Sequence, residues 1–298
     1  MKKPLIIFSS RIRRFLHDAL RLMPYALILS SCSLIQPPLT VPSYIRVQSC
    51  LVSDTPSRQG TASNHITDIW VDDNSDFRGI YQIPASVPIL QTGPTNISLQ
   101  AMVEENGISS NLLPYPFYTT YLAKNVNLQP GKLDTINPVF YYSAFTNFKW
   151  IEGFEGINPL KTTTQNTAKT FITNIKDSVF EGQGSYEVDM TAGQTFYAGT
   201  PTPFYPPTSY VVWLEMNYKT DVPMDVGLNF IDPTGNNPLQ PEFVSGVNPT
   251  SKWKKVYIDL GPELQFFNQY PVFQIYFQAN ASANAHIFID NLKLLYFE

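Results

Sequence analysis

The stretch "VVWLEMNYK", Val211–Lys219, alternates in character with a period of two. In a strand successive side chains point to opposite faces of the sheet. Val212, Leu214, Met216 and Tyr218 are therefore predicted to face a core, and Trp213, Glu215 and Asn217 to face away from it. The same pattern recurs in "DVGLNFID" (225–232), "WKKVYIDLG" (253–261) and "VFQIYFQAN" (272–280), and it sends Asn229, Tyr257 with Asp259, and Gln274 with Tyr276 and Gln278 to the outward side. After the first forty residues no stretch sustains an i, i+3, i+4, i+7 apolar stripe, while turn residues recur about every ten positions. The 25 prolines suit loops and strand ends. The expected class is all-β.

Working outward, 298 residues with 43% hydrophobic, 14% aromatic and 15% charged side chains carry ample material for a packed core. The N-terminal region differs from the rest. Lys2, Lys3, Arg11, Arg13, Arg14 and Arg21 stand against Asp18 alone, and an apolar run from Leu22 to Leu29 follows. That order is the layout of a secretory signal peptide, and the run is too short for a membrane-spanning helix. With six of the 20 basic and one of the 24 acidic residues lying in this head, the remainder has a net charge of −9. Nucleic acid is accordingly a poor partner.

Leu29-Ser30-Ser31-Cys32 resembles the bacterial lipobox. The resemblance implies lipid attachment at Cys32 and cleavage before it, with residues 1–31 as a lipoprotein signal peptide and 32–42 as a lipidated tether rich in proline. Several acyl chains would form a lasting membrane anchor. Cys50, the other cysteine, is then left without a partner in the chain.

The alternating strands fall into two sets, giving two expected β-sandwich domains at 43–142 and 146–298. In the first, "IYQIPASVPILQTGPTNISLQAMVEENGI" (80–108) resembles PEGA or carboxypeptidase-regulatory-like modules, an immunoglobulin- or transthyretin-like sandwich that serves as a spacer. "VDDNSDF" (71–77) has the alternate acidic spacing of a calcium loop, but Phe77 and Ile83 stand where glycine and glutamate belong, so a polar hairpin turn is expected.

The second set opens with "NFKWIEGFEG" (147–156) and closes with "HIFIDNLKLLYFE" (286–298). This order resembles jelly-roll carbohydrate-binding modules of the galactose-binding-like type. The resemblance implies a structural Ca2+ with Glu155 and Asp290 as its carboxylates. Asp290 and Asn291 bonded to loop backbone are the alternative.

Flat rings beside amides and carboxylates suit a sugar, which packs its C–H face on a ring and directs its hydroxyls to polar groups. Trp213, Glu215, Asn217, Tyr257, Gln274 and Tyr276 are the expected glycan-binding residues. Burial of that face against the first domain or another protein is the competing expectation. Catalysis is not expected, since His65 and His286 lie outside any nucleophile motif and Glu104-Glu105 borders a turn.

The chain also resembles an uncharacterised type of Bacteroidetes envelope lipoprotein, through "VPSYIRVQS", "ASNHITDIWVDD", "NGISSNLLPYPFY" and "WIEGFEG". That implies attachment to the outer membrane. Two functions are carried forward: polysaccharide binding by the jelly roll, or a structural adaptor in an outer-membrane protein complex for secretion, gliding or nutrient uptake. The adaptor would use flat apolar patches, with Asn111–Tyr121 and Gly199–Tyr210 as candidates.

Overall fold

A computed structural model describes residues 40–54, 56–156, 159–232 and 241–298. The expected signal peptide, the expected lipidation at Cys32 and most of the expected tether lie outside these residues. Ser43–Glu298 forms one unit by its internal contacts.

The N-terminal half holds strands β1 (Ser43–Val47), β2 (Leu51–Ser53), β3 (Asp68–Asp73), β4 (Asp76–Gln82), β5 (Ala85–Ile89), β6 (Gly93–Glu104), β7 (Leu112–Pro114), β8 (Tyr121–Leu128), β9 (Leu133–Ile136) and β10 (Val139–Tyr141). They make a sheet ordered β5-β1-β9, a short parallel pair β10-β2, and a five-stranded sheet in which β6 pairs with β3, β7 and β8 while β4 forms an edge on β3. Alternate residues of these sheets, among them Ile45, Val47, Val71, Leu99 and Val103, meet in one core.

The C-terminal half holds β11 (Asn147–Glu152), β12 (Lys161–Thr162), β13 (Lys169–Thr173), β14 (Ser185–Met190), β15 (Thr195–Gly199), β16 (Val212–Thr220), β17 (Met224–Ile231), β18 (Glu242–Val247), β19 (Thr250–Asp259), β20 (Val272–Asn280) and β21 (Ala285–Tyr296). One sheet runs β13-β14-β21-β16-β19, with β11 also on β21, and the other runs β12-β15-β20-β17-β18. This is an all-β sandwich of two antiparallel sheets. Its core lies between Leu214 and Met216 of β16 with Ile287 and Ile289 of β21 on one side, and Val226, Leu228, Ile275 and Phe277 on the other.

The alternation of Val211–Lys219 places Val212, Leu214, Met216 and Tyr218 in that core. The opposite face of β16 is buried as well. Trp213 and Tyr257 belong to the N-terminal core together with Leu295, so the N-terminal half roofs part of the first C-terminal sheet. The β6–β7 turn completes the join: Asn106 N–H donates to the Tyr257 carbonyl at 2.8 Å, and Asp259 N–H donates to Asn106 Oδ1 at 3.0 Å.

Candidate functional site

Under the roof, a carboxylate sits among lysines and tyrosines. Glu215 is fully buried; its Oε1 accepts the hydroxyls of Tyr115 at 2.7 Å and Tyr142 at 2.9 Å. Its Oε2 lies 2.6 Å from Lys255 Nζ and 4.0 Å from Lys293 Nζ. Lys293 also donates to the Thr61 carbonyl at 2.5 Å and stands 4.7 Å from the Tyr142 ring centroid. Burial alone would push the Glu215 carboxyl up, but the two lysines hold it below the usual range. Burial brings Lys293 down to about 8 and pushes the Tyr115 and Tyr142 hydroxyls well up.

The expected glycan site is corrected on this point. Trp213, Glu215, Asn217 and Tyr257 each expose 3% or less, so no ring or carboxylate among them meets solvent. Trp213 packs edge-on against Tyr115, with centroids 5.5 Å apart, and Asn217 Nδ2 donates to Ser63 Oγ at 2.9 Å. Gln274 and Tyr276 lie on the other sheet, whose outer face points away from the first. Tyr276 stacks on Tyr197 at 5.2 Å and 8° and is itself covered, and Gln274 donates to the Thr200 carbonyl at 3.1 Å. The six residues do not converge. A ring reads as outward from alternation alone, which carries no signal of a second sandwich docked on the same face.

Asn111–Tyr121 turns out to be part of that seal: Tyr115, Phe117 and Tyr118 are buried in the N-terminal core.

An open cavity lies farther along, where the segment joining β13 to β14 passes the N-terminal loop at Thr61–Ser63. A cleft of about 410 Å³ is lined by Asn174, Lys176, Val179, Phe180, Glu181, Gly182 and Gln183. A second hollow of about 300 Å³ shares Phe180 and Glu181 and adds Thr61, Ala62 and Ser63. Phe180 forms a wall common to both. Its ring lies 5.4 Å from Trp253, which in turn lies 6.3 Å from Phe288. Lys219 sits above these rings, 4.4 Å from Phe288 and 5.7 Å from Trp253, and donates to the Asp177 carbonyl at 3.0 Å. Trp253 Nε1 is buried and has no hydrogen-bond partner among the described residues.

The cleft segment is held from beneath by the residues expected to ligate calcium. Phe180 N–H donates to Ser185 Oγ at 3.2 Å, and the Ser185 hydroxyl donates to Asp290 Oδ2 at 2.6 Å. Asp290 also accepts Glu181 N–H at 3.4 Å and Asn291 N–H at 2.7 Å, and burial lifts its carboxyl to about 6. Glu155 Oε2 accepts Gln183 N–H at 2.9 Å. Gly182, at φ +73°, passes so close to Glu155 that a Cβ would collide with the carboxylate. Glu181 accepts the Thr61 hydroxyl and, at 3.2 Å, Asn291 Nδ2.

Asp290 and Glu155 thus face donors, where a calcium ion needs six to eight oxygen ligands. Among the described residues no three His, Cys, Asp or Glu side chains come together to hold a metal. Hydrogen bonds from the loop engage both carboxylates in this structure.

No known family profile matches the chain. No curated protein matches it either. Several solved structures do resemble about half of the chain. A family 11 carbohydrate-binding module from Clostridium thermocellum, in complex with a β-1,3-1,4-mixed-linked tetrasaccharide, is 16% identical over 51% of this chain and 96% of that one, with a TM-score of 0.37. The CBM22-1 xylan-binding domain of Paenibacillus barcinonensis Xyn10C is 14% identical over 51% and 96%, with a TM-score of 0.33. The enzymatically active domain of bacteriophage CBA120 tailspike protein 4 is 12% identical over 55% of this chain and 26% of that one, with a TM-score of 0.38. Superpositions this loose transfer neither a ligand nor a binding residue.

Proposed function

We propose that the chain is a non-catalytic, lipid-anchored envelope protein whose C-terminal sandwich binds glycan in the cleft beside Phe180. The observation that carries the reading is the cleft itself. An aromatic wall stands among an ammonium, a carboxylate and two amides on a segment fixed by Asp290, Ser185 and Glu155. A volume of about 410 Å³ falls within the range of small-ligand sites and admits a short run of sugar rings. The ring of Phe180 can take the C–H face of a pyranose, while Asn174, Lys176, Glu181 and Gln183 can reach its hydroxyls. Attachment to the outer membrane rests on Leu29-Ser30-Ser31-Cys32 behind its basic and apolar head, and on the resemblance to envelope lipoproteins.

The adaptor reading draws on a different feature: in Gly199–Tyr210 the ring of Tyr205 is 67% exposed. A single ring is a small patch for a stable protein contact, so glycan binding is preferred.

Affinity electrophoresis of the full chain through gels containing mixed-linkage β-glucan, xylan, galactan or mannan tests the proposal. At least one polymer should retard the chain, and Phe180→Ala should reduce that retardation. Equal mobility in every gel would remove the glycan reading.

A further inference from the structure

The outer face of the five-stranded N-terminal sheet carries a feature that neither the cleft nor the seal between the halves uses. Facing pairs across antiparallel strands share a side of the sheet. Trp70 of β3 pairs with Ile80 of β4 and Gln100 of β6; Asp72 pairs with Phe77 and Ser98; and Ser98 pairs with Leu122 of β8. Phe77, Ile80 and Leu122 are 53%, 42% and 48% exposed.

Within this face Phe77 and Trp70 form a unit. Their ring centroids lie 4.2 Å apart at 38°. The indole plane is fixed, because Trp70 Nε1–H donates to Asp72 Oδ1 at 2.9 Å, and Asp72 Oδ2 accepts the Ser98 hydroxyl at 3.3 Å. Arg78 is paired with Asp73 at 2.6 Å, which mutes the charge at the turn. Polar groups lie among the rings at strand spacing, roughly 4.8 Å, whereas a protein-docking face concentrates them at its rim. An exposed ring, Phe77, backed by the fixed ring of Trp70, with a hydroxyl, an amide and a carboxylate within one strand of them, suits a pyranose better than an apolar protein surface.

We propose that Trp70 and Phe77 form a second carbohydrate subsite, taking the C–H face of a pyranose with Asp72, Ser98 and Gln100 at its hydroxyls. It names the same ligand class as the cleft but stands on separate geometry. Two subsites on one chain would raise the avidity for a long polymer where one chain can span both.

The test uses the full chain and the same four polysaccharides, with Phe77→Ala, Phe180→Ala and the double variant, each checked by thermal melt. Phe77 is exposed, so its truncation should leave the melt unchanged. The loss of one stacking ring should weaken binding about tenfold. Phe180→Ala should retain residual binding that the double variant loses. If Phe77→Ala binds like the parent while Phe180→Ala does not, the second subsite is refuted and the cleft stands. If Phe77→Ala alone abolishes binding, the cleft reading falls and the platform stands. If polysaccharide binding is untouched but Ile80→Ser with Leu122→Ser converts a dimer to a monomer on gel filtration, the face is a protein contact and the proposal fails.

Discussion

Glu215 Oε2 and Lys255 Nζ stand 2.6 Å apart with side-chain exposures of 0% and 1%, on neighbouring strands of one half and beneath the other. A charge pair taken out of water costs several kcal/mol of solvation per ion, recovered only where geometry and hydrogen bonds are good. Here Tyr115 and Tyr142 reach in from the N-terminal half to supply those bonds. The pair therefore depends on both halves being in place.

Glu215→Ala would leave Lys255 and Lys293 buried without their counter-charge. A loss of about 3–5 kcal/mol is expected, the usual effect of removing one partner of a buried pair. Urea denaturation of parent and variant measures it, and a loss under 1 kcal/mol would mean that the lysines find water.

Trp213→Ala should act through stability. A buried tryptophan truncated to alanine typically costs about 3–5 kcal/mol. Its melting temperature should fall, while affinity for any retained polysaccharide, measured below the melt, should match the parent. Weakened binding with an unchanged melt would return Trp213 to a ligand site.

Residues 146–298 expressed alone would keep the core between their two sheets and lose the roof over Trp213, Tyr257 and Lys293. The fragment should melt cooperatively but well below the full chain, and should bind a hydrophobic dye that the full chain excludes. Equal melting temperatures would show that the roof adds nothing.

Asp290 sets a pH dependence. Its carboxyl is lifted from 3.8 to about 6 by burial, so between these values the folded chain holds a proton that the unfolded chain has released. Stability therefore gains as pH falls through 6 toward 4, and the cost of the buried anion is fully present above 6. Asp290→Asn removes this component. The difference in unfolding free energy between parent and variant should shift by about 2 kcal/mol toward the parent from pH 7 to pH 4. A constant difference would mean that Asp290 titrates normally.

Strand periodicity made the core side of β16, β17 and β20 legible, because an alternating strand leaves a sheet only two faces to choose from. Val212, Leu214 and Met216 are core residues for that reason. What covers the second face was not legible. Trp213 and Glu215 look the same in sequence whether they meet water or Tyr115, and that pairing spans a hundred residues. β5 carries little strand signal, since Pro88 stands in its middle; the proline is tolerated because β5 is an edge strand. The cleft lies on the loop after β13, where no periodicity operates. Its one local sign is Phe180-Glu181-Gly182-Gln183, an aromatic beside polar residues and a glycine.

Hydrogen–deuterium exchange of the full chain, with and without the polysaccharide that retards it most, tests the glycan cleft most directly. The account predicts added protection at residues 174–183 and 61–63, with no change at 213–217, which are buried in both states. Protection confined to other surfaces, with 174–183 exchanging as in the free chain, would contradict it.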